Sequence, residues 1–454
     1  MSTQIQKEVS SMQDMTKGSI LSHLIHFAIP MILGNLLQLT YNAVDSIIIS
    51  KFLGETALAA VSTSDPIFTI LVLGASGISL GASVMISKFR GAKDEEKIKQ
   101  EFATTLIFGF FFSLGVFALG LVLAGQLLRW IQTPAEAMDQ AKIYLRVCLV
   151  GFLFTFQYNV LASSLRGLGD SKTPVYFLTL SCGVNILLDV LFVAVIPLGV
   201  AGAAMATVIS QGAAVLGCLF HIRKHIPALR LTRRELLISP PLLRETLQIG
   251  FLTALQQAAQ PIGKVCIQGV INTQGIGAID AFNAGCKIED FARIPTQSIG
   301  NGIMTCTAQN RGAGQEKRMY ESFHKGLLLA LLYFPLIFLL TQLVKGPAVA
   351  LLLPDGAEEI VAAGVSYIGL KAFFFLMPGL TNAIQGHFRG LGMMKMVLFG
   401  TVLQTAVRTL CVFLWVPKIG INGEAWACFT GWACMVAVQY SLYFYWRKRG
   451  RIKI

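Results

Sequence analysis

Long apolar runs, separated by short clusters of charge, glycine and proline, make up most of the chain. Phe102–Leu128 and Thr430–Trp446 carry no charged side chain at all, and about 18 apolar residues suffice to cross a bilayer. The pattern predicts twelve helical spans: 22–50, 57–88, 102–126, 138–162, 174–196, 199–222, 244–271, 278–308, 323–345, 358–387, 396–417 and 420–446. Several are longer than the roughly 20 residues of a straight crossing, which implies tilt or protrusion. The expected fold class is an all-α polytopic membrane protein with twelve transmembrane helices in two parallel-repeat six-helix bundles. The first apolar run, from Ile20 to Ser50, is far longer than the core of a cleavable signal.

The two bundles follow from a duplication. Gly54/Gly275, Ala57/Ala278, Ala60/Ala281 and Gly81/Gly302 recur at an offset of 221, and Arg90-Gly-Ala recurs as Arg311-Gly-Ala in the same register. Arg166-Gly-Leu-Gly matches Arg389-Gly-Leu-Gly at 223, and Gly199-x-x-Gly-x-Ala-x-Ala matches Gly420-x-x-Gly-x-Ala-x-Ala at 221. Six spans separate each pair of equivalents, an even number, so both halves point the same way through the membrane, a transporter architecture. The expected division is a tail at 1–19, an N-lobe at 20–222, a basic linker at 223–243, a C-lobe at 244–446 and a basic tail at 447–454. Gly77-x-x-x-Gly81 on the second span reads as a helix-packing contact.

Composition sharpens this picture. Only 13% of the 454 residues are charged while 54% are hydrophobic, against about 25% charged in soluble domains. A soluble enzyme and a disulfide scaffold are thereby excluded. The net charge of +13 is a topology signal: 26 of the 37 Lys and Arg fall on one set of loops and tails, those of Lys88–Lys99, Arg223–Arg244 and both termini among them. The positive-inside rule places both termini in the cytoplasm, which makes the expected location a cell (inner or plasma) membrane. A nucleic-acid partner is not indicated. The nine cysteines and six histidines show no metal-ligand spacing; neither an enzyme nor a cofactor is expected.

Ionisable residues inside spans default to functional candidates. The first half offers Asp45, Asp65 and Asp189. At about 1.5 Å rise per residue, Asp45, Asp189 and Thr207 lie at similar depth, roughly 12 Å from the nearest predicted outer turn, and Asn185 shares a helix face with Asp189 one turn deeper. Two carboxylates in a low-dielectric pocket repel, so a proton or a monovalent cation between them relieves the strain; carboxylate, amide and hydroxyl oxygens also suit a hard cation. The competing account is separate Asp residues that cap kinked helices or pair locally. In the second half, Lys287, Glu289, Asp290 and Arg293 fall within two helical turns, with Lys287–Asp290 and Glu289–Arg293 spaced for local pairs. They either neutralise one another or contact substrate. Gln38, Asn42, Tyr158 and Gln256 join Asp65 and this cluster as candidate substrate or gating contacts. Pro30, inside the first span, predicts a kink.

The tracts Tyr41-Asn-Ala-Val-Asp45-Ser-Ile, Arg166-Gly-Leu-Gly-Asp-Ser-Lys-Thr-Pro174, Asn185-Ile-Leu-Leu-Asp189 and Gln309-Asn310-Arg311-Gly-Ala, together and in this order, resemble the multidrug and toxic compound extrusion (MATE) family. The resemblance covers essentially the whole chain. It implies two six-helix bundles around a central cleft and export of organic, often cationic and aromatic, small molecules in exchange for Na+ or H+. The expected partners are those small molecules and the lipid bilayer, and the expected state is a monomer. It maps Asp45 to the family's first-helix acid. Asn185, Asp189 and Thr207 map to the amide, acid and hydroxyl that complete a Na+ or proton site in one branch, and Pro30 maps to a first-helix hinge. Acids that some branches carry in the seventh and tenth helices are replaced nearby by Gln256 and Pro378, which favours coupling in the N-lobe. The alternative within transport is a lipid-linked oligosaccharide flippase of the same superfamily, for which Lys264, Lys287, Lys371 and Arg408 would supply a basic groove. A polytopic membrane enzyme would need a catalytic cluster at the bilayer surface, and the sequence offers none.

Overall fold

The computed structural model describes residues 12–353 and 358–449; the outer parts of both expected tails, 1–11 and 450–454, lie outside the described residues. Described residues outside the helices form only short connections, and none is in a strand. In chain order the helices are α1 (Ile20–Gly91), α2 (Glu95–Trp130), α3 (Met138–Gly167), α4 (Lys172–Asp189), α5 (Gly199–His225), α6 (Pro240–Asn272) and α7 (Ile276–Gly312). They continue with α8 (Glu316–Leu352), α9 (Glu358–Phe373), α10 (Leu376–Gly390), α11 (Met394–Ile419) and α12 (Asn422–Lys448).

Every expected span falls on helix, but the spans are joined differently from the expectation at two places. α1 is two helices fused end to end, broken only at Gly54 (φ 80°, ψ −176°). The tenth span is α9 and α10, which meet at a bend of 46°. Seven helices among the described residues are long and apolar enough to cross a membrane on length and hydropathy alone, or eight with the bent pair taken as one. The twelve-span reading is recovered because α1 folds into two crossings, while α6, α7 and α12 are helices whose polar and charged side chains dilute their hydropathy. Large apolar side chains stand exposed on the outside, Val122 at 81% and Leu343 at 70%. In water this surface would be a liability, whereas in lipid it is the solvent-facing side. The nine cysteines are all free.

The duplication is written into the backbone. Gly54 and its equivalent Gly275 (φ 94°, ψ 168°) occupy the same region of dihedral space, which is essentially closed to side chains with a Cβ. Gly199/Gly420, Gly169/Gly392 and Lys93/Gly314 repeat positive φ at the corresponding turns.

Two compact units emerge. Among the described residues, one comprises 12–14 and Pro30–Ala254, the other Met15–Ile29 and the described residues from Leu255 onward. Each unit takes the opening segment of the other's first helix: residues 15–29, which include the start of α1, group with the second unit, and 240–254 of α6 group with the first. Small residues make this grouping. A Cβ on Gly77 would sit 2.6 Å from the Gly250 carbonyl oxygen, and one on Gly81 would sit 2.7 Å from the Thr246 carbonyl oxygen. The Gly-x-x-x-Gly pair is thus the expected packing contact. In the second unit the equivalent Gly302 lies against Leu24 and Phe27, and Asn310 donates to the Met15 carbonyl at 3.1 Å.

The helix continues through Pro30, since Gly54 alone departs from helical dihedrals within α1. Pro30 stands where the chain passes from one unit to the other.

In the linker, Glu235 accepts from the Thr232 backbone N–H at 2.7 Å and from the Lys99 ammonium at 2.9 Å. These donors hold its carboxyl down to about 2.

Gly54→Ala should destabilise the protein by about 1–3 kcal/mol, because only glycine sits there without strain. Gly115→Ala, mid-helix with nothing within 4 Å of the added Cβ, should be neutral or gain up to about 1 kcal/mol in helix propensity. Thermal unfolding in detergent compares the two; equal effects would contradict the assignment of the turn to Gly54.

Candidate functional site

In the first unit α1, α4 and α5 bring Asp45, Asp189, Asn185 and Thr207 together. Asp45 lies within hydrogen-bond range of Asp189, carboxyl to carboxyl. With its amide turned to satisfy both neighbours, Asn185 donates to Asp189 Oδ2 at 2.7 Å and accepts from the Thr207 backbone N–H at 3.2 Å. Tyr41, one turn before Asp45, contacts the Thr207 side chain. Asp189 and Asn185 are fully buried. One oxygen of each acid, Asp45 Oδ1 and Asp189 Oδ1, is buried with no hydrogen-bond partner among the described residues.

The local backbone explains the placement. Asp189 is the last residue of α4, and the next turn, Val190–Val195, widens into a π-helix, closed by Ile196 N–H to the Leu191 carbonyl at 2.8 Å. Such wide turns recur where a side chain must be re-aimed. Above the acids Ile48, Ile49, Ala57, Val61, Val193, Val200 and Ala203 form an apolar plug, so the carboxyl pair sits beneath dry packing.

No cation neutralises this pair within the hydrogen-bonded set. Two ionised carboxylates in such contact repel strongly at low dielectric. A proton shared between them, or a cation on the free oxygens, turns the repulsion into a bond. Asp65 is the next acid that acts electrostatically on Asp45, although its own side chain is exposed and outside the set. Gln38 and Asn42 are exposed on α1. Tyr158 spends its hydroxyl on the Pro174 carbonyl at 2.7 Å and so ties α3 to α4.

The second unit answers the same problem with complementary charge. Lys371 is wholly buried. Its ammonium meets Glu289 at 2.6 Å, Glu424 at 3.2 Å and the Tyr367 hydroxyl at 2.7 Å. Arg408 holds Glu424 through Nε at 3.0 Å and through a second, closer contact. Of the two expected helix-local pairs, Glu289–Arg293 forms at long range and Lys287–Asp290 does not form among the described residues. Glu289 reaches across to Lys371, with Arg293 only at 4.0 Å, and Lys287 is exposed and forms no ion pair with Asp290 among the described residues. Charge packed between helices outcompetes pairs along one helix because burial strengthens it. Gln256, in a separate set, donates to Thr401 Oγ1 at 3.2 Å and accepts from Arg389 at 3.1 Å.

Sequence reasoning missed Glu424 and Tyr41. Glu424 was hidden by the repeat motif, where its equivalent is Ala203; a lone acid inside a predicted span was the signal that could have found it. Tyr41 stands four residues before Asp45, one helical turn away. Among the described residues, no group of three His, Cys, Asp or Glu side chains is arranged to hold a metal.

Lys371→Met should leave Glu289 with only the distant Arg293 and Glu424 with Arg408, at a cost of about 3–5 kcal/mol. Adding Glu289→Gln should recover most of the loss by restoring charge balance. Monodispersity and melting temperature in detergent measure both; a single variant as stable as the parent would contradict the network's energetic role.

With this geometry established, comparisons place the chain. A family model described as MatE matches residues 30–191 and again 253–414, one match in each half of the duplication. The probable multidrug resistance protein YpnP of Bacillus subtilis (strain 168) is 29% identical over 391 residues, covering 85% of this chain and 86% of the relative. YoeA of the same organism, also described as a probable multidrug resistance protein, is 28% identical over 452 residues and covers 96% of both chains. A crystal structure of MATE in the bent conformation superposes with a TM-score of 0.89 at 23% identity, covering 98% of this chain and 97% of the other. The chain therefore belongs to the MatE family, multi-pass membrane transporters rather than enzymes.

Proposed function

We propose that the protein is a secondary antiporter that exports organic, cationic and aromatic compounds across the cell membrane in exchange for H+ or Na+, coupled through Asp45, Asn185, Asp189 and Thr207. The observation that carries the reading is the contact between the Asp45 and Asp189 carboxyls, each with a free buried oxygen. The names of the relatives, probable multidrug resistance proteins, support the export of drugs. The orientation rests on the loop charges: both termini face the cytoplasm.

In this cycle an ion enters the carboxyl pair from outside and lowers affinity for a cationic substrate by removing the negative charge that attracts it. The substrate leaves, and the ion is released inward as the two halves of the repeat exchange access. Each positive charge moving inward releases about 2.3 kcal/mol per 100 mV, and a tenfold ion gradient adds about 1.4 kcal/mol. One ion exchanged for one monovalent cation cancels the voltage term and leaves only the gradient, so stoichiometry sets the concentrating power. The direct carboxyl contact is the geometry of a shared proton. Pro30, at the passage between units, is the position on α1 where a hinge would act.

The flippase alternative loses support because two of its four basic residues, Lys371 and Arg408, are consumed by Glu289 and Glu424.

Asp45→Asn and Asp189→Asn should each reduce ion-driven efflux of a cationic dye from everted vesicles at least about tenfold while the protein remains in the membrane. Normal coupled efflux in both would overturn the N-lobe assignment. In proteoliposomes a pH step and a sodium step, applied separately, identify the ion; a response to neither would overturn antiport.

A further inference from the structure

The second unit contains a cavity of about 240 Å³ whose walls come from α6, α7, α11 and α12. Its charged lining is Lys264, Glu289, Asp290, Arg293 and Arg408. With Lys371 and Arg408 set closely against Glu289 and Glu424 and Arg293 only at 4.0 Å from Glu289, the lining charges outside those close pairs are Lys264, Arg293 and Asp290. Lys264 forms no ion pair among the described residues, although it lies eight residues inside the end of α6, roughly 12 Å along the helix. Arg293 donates one N–H to Gln260 at 3.3 Å, and its Nε is buried without a partner among the described residues. Lys264 is exposed and Arg293 reaches Glu289 only at 4.0 Å, so an ammonium and a guanidinium held this loosely inside a span favour an anionic partner. Two positive charges against one negative leave a surplus of one.

We infer that this cavity is a binding site for a monoanionic oxyanion group, a carboxylate or its phosphate or sulfonate equivalent, held between Lys264 and the free edge of Arg293. Planar oxyanions suit a guanidinium edge, and Trp432, Pro261 and Ile267 supply an apolar wall for whatever carries the anion. The volume is below that of a pocket for a whole drug-sized molecule, roughly 300–1,000 Å³, so it takes the anionic end of a larger substrate or a small acid entire. Asp290 sets the selectivity by opposing a second negative charge. The site is separate from the carboxyl pair of the other unit and stands or falls independently of ion coupling. It extends the substrate range from cations to zwitterions and organic acids.

The test is calorimetric titration of the full-length protein in phosphatidylcholine nanodiscs with benzoate, with inorganic phosphate and with benzylamine as the cationic counterpart. Benzoate should bind and benzylamine should not compete with it. Lys264→Gln, which breaks no existing pair, should weaken benzoate at least about tenfold, and Asp290→Asn should tighten it. The opposite signs separate a binding role from general damage, and circular dichroism confirms that both variants are folded. Phosphate binding that also depends on Lys264 would identify a free anion as occupant. Loss of benzoate binding on adding phosphatidylglycerol to the nanodisc would identify a lipid headgroup. Benzoate and phosphate affinities unchanged by both substitutions, or no binding of either anion to the parent protein, would overturn the site.

Discussion

A charge carried into a bilayer must be met there, and this chain meets it in two opposite ways. In the second unit, acids and bases are buried together: Lys371 between Glu289 and Glu424, with Arg408 closing the set. In the first unit two acids face each other with an amide, a hydroxyl and a phenol around them and no base in the hydrogen-bonded set. The first arrangement is complete in itself and acts as a brace. The second has two acids and no base, so its energy changes when a proton or cation arrives or leaves, which is the property the proposed coupling site requires.

This contrast is the departure from an otherwise close internal symmetry. The halves share their helices, their turns and even the dihedrals at those turns: Gly54 and Gly275 break the chain in the same way. Each unit also takes the opening segment of the other's first helix, so the exchange is itself symmetric. Against that background the placement of charge is asymmetric. Where α12 carries Glu424, the equivalent position in α5 is Ala203, which packs in the apolar plug above the acids. A single position thus serves a salt-bridge network in one half and dry packing over the paired acids in the other.

Much of this was legible in the sequence, for physical reasons. Lipid tolerates few polar groups, so spans announce themselves as long apolar runs, and the acids that interrupt them stand out. The depth of Asp45, Asp189 and Thr207 follows from counting residues down from the turns, since a helix rises by a constant step. The partners across helices were not legible. Glu289 could be matched to Arg293 by spacing along one helix, but its closer partner Lys371 is 82 positions away, and no local pattern encodes that meeting. Nor did periodicity reveal the end-to-end fusion at Gly54, the bend between α9 and α10, or the π turn after Asp189. Each is a departure from regular helix decided by packing between helices.

The central claim is that one proton or cation is shared by Asp45 and Asp189. Infrared difference spectroscopy on purified protein through a pH step tests it most directly. The account predicts one protonated-carboxyl band that vanishes on deprotonation, is absent from Asp45→Asn and from Asp189→Asn alike, and is displaced by the coupling ion if that ion is sodium. A band that persists in both variants, or the absence of any protonated carboxyl across the pH range in which transport operates together with insensitivity to sodium, would contradict it.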